Sequence, residues 1–99
     1  MRKWALAPVL ALAGCVAFVP EPTSQMAGGD ESRLTELRAG REIYVGKCSA
    51  CHALYDVNRF PAAHWTSEVD EMIRLKKVRL SDGERGRLIL YLTVASGRD

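Results

Sequence analysis

The sequence is sparing with the residues that build most catalytic centres. Its 99 positions hold two histidines, three cysteines, two tryptophans, three tyrosines and two phenylalanines. No acid, base and nucleophile constellation is evident, so enzymatic chemistry is not expected. No segment alternates apolar and polar residues as a half-buried strand would, and no internal repeat is visible. Charge of one sign is also missing. Fourteen Lys and Arg face twelve Asp and Glu, a formal net charge of +2, which falls to zero if Arg2 and Lys3 are removed. That balance excludes a nucleic-acid binder, whose footprint is basic. Nor is any apolar run both long and clean enough for a stable membrane span; the only candidate lies in the first twenty residues. At this length there is room for one small domain. Below about 80 residues a core rarely supplies enough burial alone, so a stabilising disulfide, metal or cofactor is expected.

What is present begins with an address. A basic start (Arg2, Lys3) leads into an apolar run through Leu12, then Leu12-Ala13-Gly14-Cys15, the layout of an export signal. The tetrad resembles the bacterial lipobox. The resemblance implies that Cys15 takes a diacylglyceryl group on its thiol and becomes the mature N-terminus, which anchors the chain lastingly once two or more acyl chains are attached. Val16, where Asp would resemble an inner-membrane retention signal, favours the outer membrane. From Pro20 to Asp30 the chain is rich in Pro, Gly and polar residues with no apolar period, and reads as a tether. The expected organisation is a signal peptide over 1–14, a lipidated N-terminus and flexible tether over 15–32, and a folded domain over 33–99.

The segment Cys48-Ser49-Ala50-Cys51-His52 is the C-x-x-C-H pattern of covalent haem attachment. Two thiols separated by two residues can add to the two vinyl groups on one haem edge, and the adjoining imidazole reaches the iron from one face. Cys48 and Cys51 are thus the attachment residues and His52 the proximal ligand. A thioredoxin-like redox pair would sit in an α/β fold, and no run of strands is visible. A zinc site needs further ligands, and His64 is the one other histidine, with no second cysteine pair. A disulfide across two residues would close a small strained loop. With lipid on Cys15 and haem on the other two, no cysteine is left over, and the exported compartment is where such attachment takes place.

All periodicity is helical. Leu34, Leu37, Tyr44, Val45 and Cys48 recur at helical spacing with Ser32 available as a cap, predicting a helix over about 33–48. Ser81-Asp82-Gly83-Glu84 is a capping box ahead of Leu88, Tyr91, Leu92 and Ala95, predicting a second over about 82–96. Between them Thr66 or Ser67 can cap a shorter helix in which Val69, Met72 and Ile73 share a face near Trp65.

With these elements placed, the chain resembles the class I cytochromes c over roughly residues 33–97. In that family the first helix carries a glycine and an aromatic, eight and four residues before the first haem cysteine, packed on an aliphatic and aromatic pair of the last helix. Gly40 and Tyr44 stand at those spacings, and Leu88 and Tyr91 look like their partners. The resemblance implies an all-α, cytochrome c-like fold of about three helices around one covalently bound haem c. The middle segment departs from the family: no early glycine-proline pair follows the haem histidine, and Pro61 is the first proline able to offer a carbonyl to the proximal imidazole. That segment is also short, which should leave a haem edge open.

For the other iron face the candidates are Met72, the family's usual residue type and a few positions before the final helix, and His64 as the alternative. Met72 is also in register with Val69 and Ile73, as a core methionine would be. Met26 lies in the tether and is not expected to reach. The basic run Arg74, Lys76, Lys77 and Arg79, with Lys47 beside the motif, can steer an acidic redox partner or simply form a solvated face. The expected function is single-electron transfer between envelope redox partners by a periplasm-facing, membrane-tethered mono-haem cytochrome. The alternatives are a haem-based small-ligand sensor or weak peroxidase with a labile sixth ligand, and a haem relay subunit of a larger oxidoreductase.

Overall fold

A computed structural model describes residues 17–48 and 54–97. Within it three helices follow one another, α1 (Glu31–Ile43), α2 (Ala62–Arg74) and α3 (Asp82–Ser96), and no strand occurs among the described residues. Helix α1 begins two residues before the expected start. The Asp30 carboxylate accepts from the backbone N–H of Ser32 and Arg33 at 2.9 and 3.3 Å, so Asp30 takes the capping role expected of Ser32. At the other end, the helix does not run to Cys48. It widens into a single π turn, Tyr44–Cys48, which leaves Tyr44 and Cys48 both buried while Val45, expected on the apolar face, is exposed.

Helix α2 starts at Ala62, four residues before Thr66. Pro61, with its φ of −63°, is pre-set for the entry, so no side-chain cap is required and Thr66 and Ser67 fall inside the helix. Trp65 and Val69 are buried and Ile73 packs against the core, while Met72 is half-buried and is not among the residues packed on that cluster. The helix stops in a Schellman arrangement: Lys76 N–H donates to Ile73 O and Lys77 N–H to Met72 O. Lys76 takes the left-handed conformation, φ 60°, where glycine is usual; a side chain there costs about 1–2 kcal/mol.

Helix α3 follows the sequence closely. Ser81 and Glu84 form the reciprocal capping box, at 3.1 and 2.9 Å, Leu88, Tyr91 and Leu92 are fully buried, and Ala95 packs at their edge. Gly97, φ 61°, ends the helix.

Helices α1 and α3 cross at Gly40. A Cβ on that residue would collide with the Arg87 carbonyl and lie 2.8 Å from Tyr91 Cβ. The backbones approach so closely that only a hydrogen fits, which offsets the usual cost of glycine inside a helix. Of the two α3 partners that the family resemblance implied, Tyr91 lies at this crossing and Leu88 is buried in the same cluster as Tyr44.

The segment 17–30 departs from its reading as a free tether. Phe18 N–H donates to Asp56 Oδ2 at 2.9 Å, and Phe18 O accepts from Val57 N–H at 3.0 Å. Arg41 donates to Val19 O through Nε and Nη2, and Tyr91 donates its hydroxyl to Pro20 O at 2.7 Å. Pro22 is buried, and Ala27 closes a small cluster with Leu34 and Leu37. Gly28 and Gly29, both at positive φ, turn the chain into the Asp30 cap. These anchors are backbone carbonyls and one amide, groups every residue carries, so composition gives no sign of them.

Candidate functional site

The C-x-x-C-H segment leaves helix α1 through the π turn. Cys48 closes that turn and is 6 % exposed, in one cluster with Tyr44, Val57, Trp65, Val69, Leu88, Tyr91 and Leu92. Cys51 and His52 lie outside the described residues, as does Cys15. What the structure gives is the chain on either side of the motif.

The chain beyond the motif is fixed by aromatic side chains whose polar ends bond to its main-chain carbonyls. Tyr44 donates its hydroxyl to Tyr55 O at 2.7 Å, and Trp65 donates Nε1–H to Val57 O at 2.9 Å. Asp56 adds a third hold, accepting from Asn58 N–H at 2.9 Å and capping the 3-10 turn Val57–Arg59. The rings of Tyr44 and Trp65 meet edge to face at 6.0 Å, Phe60 meets Trp65 the same way at 5.0 Å, and Tyr55 meets Phe60 at 6.0 Å. Because the hydroxyl and indole N–H are satisfied by backbone, the ring faces are left as apolar wall. Burial, with the neighbouring Cys48 next in weight, pushes the Tyr44 phenol well above its ordinary range, so it remains a neutral donor.

The two candidates for the second iron face differ. His64 is exposed, stacks against Phe60 with ring centroids 4.7 Å apart, and has Nε2 3.3 Å from Glu68 Oε1 one helical turn on. Met72 stays half-buried. Pro61 O accepts the His64 N–H at 2.9 Å, so the carbonyl considered for the proximal imidazole already serves the start of α2. Among the described residues no three His, Cys, Asp or Glu side chains gather as a metal-binding group.

Past α2, an open hollow of about 480 Å³ is lined by Ile73, Lys76, Lys77, Val78, Arg79 and Leu80. The basic run is not uniformly free. Arg74 pairs with Glu71 at 2.6 Å, and Lys47 Nζ donates to Arg79 O at 3.1 Å and meets Glu84 at 3.3 Å. Lys47 therefore ties the end of the π turn to the start of α3. The Ser81 backbone N–H and then Lys47 hold the Glu84 carboxyl below its usual range. Arg85 and Asp70, at 2.7 Å, pin α3 to α2.

The described part of the expected donor set, the Cys48 thiol and the Met72 thioether, has the chemistry a covalently held porphyrin would use. The thiol belongs to an aromatic and aliphatic cluster on which Leu54, Ile73 and Leu80 pack, and the half-buried thioether lies on the same helix as Trp65 and Val69. Sequence reading missed the clamps at Tyr55 and Val57. The Asp56-Val57-Asn58 run was the one local signal for that turn, since Asp favours such Asx caps. Compared with protein-family models, with curated proteins and with solved structures, the chain matches none.

Proposed function

We propose that this chain is a mono-haem c-type cytochrome, lipid-anchored through Cys15 to a bacterial envelope membrane, that passes single electrons between redox partners. The observation that carries the reading is the Cys48-Ser49-Ala50-Cys51-His52 motif issuing from a helix whose Gly40 lies directly against Tyr91 of α3. Cys48 and Cys51 would hold haem c by thioether bonds, His52 would supply the proximal nitrogen, and Met72, or alternatively His64, the second axial ligand. When bound, that group supplies a one-electron Fe(II)/Fe(III) couple whose potential is set by its axial ligands and surroundings.

The chain's own part is to bind, bury and orient. Tyr44 and Trp65 hold the backbone after the motif through Tyr55 O and Val57 O, and their rings keep water from the Cys48 side of the cluster. Neutral Tyr44 adds no charge there that would bias one oxidation state. Lys76, Lys77 and Arg79 supply the cationic surface for an acidic redox partner.

The test is spectroscopic and covalent together. Protein from a cytochrome-maturing host should keep its colour through denaturing electrophoresis, and Cys48→Ala with Cys51→Ala should abolish it. Met72→Ala should remove the weak long-wavelength sulfur-to-iron band and open the iron to carbon monoxide, with His64→Ala changing little. Haem extracted intact by acidified organic solvent would overturn the covalent assignment. A wild-type iron already high-spin and binding carbon monoxide readily would replace the carrier by the sensor or peroxidase reading.

A further inference from the structure

The docked segment 17–30 changes what a lipid on Cys15 would do. If the chain were free to Asp30, the domain would be separated from the bilayer by a flexible leader. Instead Phe18 is bonded in both directions to the 56–57 turn, Val19 and Pro20 are held by Arg41 and Tyr91, and Glu21 pairs with Arg41 at 3.0 Å. Only Val16 and Ala17 separate Cys15 from the first of these anchors. A fully extended chain advances at most ~3.6 Å per residue, so the Cα atoms of Cys15 and Phe18 stand no more than about 11 Å apart. The headgroup layer that borders the hydrocarbon core is about 5–8 Å deep on each side, so even a fully extended link carries Phe18 only a few ångströms past it. Any less extended link keeps Phe18 at the lipid surface.

The surface at this point has the chemistry of a membrane interface. Phe18 is 53 % exposed, the most exposed of the large hydrophobic side chains described, although its own backbone is anchored on both sides. The turn that holds it carries Arg59, exposed, with its guanidinium 4.5 Å from the Tyr55 ring. An aromatic side chain presented to solvent, on a segment held by a turn that also carries a cation, offers one group to the acyl-chain boundary and one to anionic headgroups. The short link points to the occupant: Phe18 stands three residues from the position that would carry lipid.

We infer that residues 17–22 form a strap that seats the domain directly on the lipid surface, with Phe18 entering the interface and Arg59 facing headgroups. The inference rests on the lipid-anchor reading and adds orientation to it: the domain rides on the membrane through one fixed face instead of moving at the end of a leash.

The experiment replaces Phe18 by p-benzoylphenylalanine in the full-length, haem-loaded chain, verifies Cys15 acylation by the mass of the N-terminal peptide, and irradiates the protein in phosphatidylethanolamine and phosphatidylglycerol vesicles. A phospholipid adduct at position 18 is expected as the main product. Inserting about twenty Gly and Ser residues between Val16 and Ala17 adds roughly 25 Å of root-mean-square reach and should lower adduct yield about fivefold as the effective lipid concentration falls. An acylated chain that floats with the vesicles yet yields no lipid adduct, or yields the same amount with the insertion, overturns the strap contact and leaves the anchor standing. A chain with unmodified Cys15 that stays out of the membrane fraction overturns both.

Discussion

The crossing of α1 and α3 and the docking of segment 17–30 join the same helices to the rest of the chain by different means. At the crossing, shape decides: Gly40 has no side chain, it lies against the Arg87 backbone and Tyr91, and the fit leaves no room for a methyl group. In the strap, hydrogen bonding decides. Carbonyls of Phe18, Val19 and Pro20 are taken by an amide, a guanidinium and a phenol that lie 39, 22 and 71 residues away. Tyr91 belongs to both regions, its Cβ facing Gly40 and its hydroxyl bonding Pro20, so it can be used to separate them.

The largest effect is expected from Tyr91→Ala, which removes a fully buried ring and the strap bond together. A loss of about 3–5 kcal/mol is expected, as for other large aromatic truncations, read as a lower denaturation midpoint. Gly40→Ala should come next. Better helix propensity offers about 1 kcal/mol, but the new methyl meets the Arg87 carbonyl, a backbone atom that cannot rotate aside, and overpacking typically costs about 1–3 kcal/mol. A net stabilisation by Gly40→Ala would show that the helices separate easily and that the crossing is not fixed by this contact.

Tyr91→Phe isolates the strap. It keeps the ring at the crossing and removes one hydrogen bond, for about 0.5–1.5 kcal/mol, and proteolysis within 17–30 should accelerate while the core is retained. It should also change the alkaline limb of the stability curve. Burial, partly opposed by Arg41, pushes the Tyr91 phenol up to about 12. The unfolded phenol ionises near 10 while the folded one stays neutral, so stability is full below that point and falls as pH rises through the folded value. The Phe variant loses its share of that fall and retains the part due to Tyr44, which is raised in the same direction.

The smallest effect is expected from Asp70→Asn, which touches neither region. Its partner Arg85, mainly by side-chain hydrogen bonding, lowers the Asp70 carboxyl below its ordinary value on an exposed surface. The pair therefore stabilises at neutral pH, and the contribution disappears as pH falls through that lowered value. Wild type and variant should differ slightly at neutral pH and low salt, then converge in acid and in high salt. A difference that persisted in acid would have to come from packing.

The capping box of Ser81 and Glu84 and the stripe Leu88, Tyr91, Leu92 on α3 were legible because local sequence fixes them: a cap needs only residues three apart, and an apolar face only a helical period. Gly40 was legible for a different reason, since a glycine inside a helix costs stability unless something approaches closely. The caps of α1 at Asp30 and of α2 at Pro61 were misplaced by two and five residues because several cap-capable residues stood near each boundary. The π turn before Cys48 gave no sign, because Val45 is apolar enough to pass for part of the buried face.

By itself, the sequence determined a helical chain with three helical segments, the chemistry of the Cys48 to His52 motif and the set of residues available to accompany it. Each is a matter of residue type and short spacing. Tertiary structure alone decided that Tyr44 and Trp65 hold the chain beyond the motif through Tyr55 and Val57, that His64 turns to Glu68 and Phe60, and that residues 17–30 lie docked. The reason is that a carbonyl is identical at every position. Which one a distant hydroxyl, indole or guanidinium will find depends on where the folded helices carry it, and no local pattern encodes that.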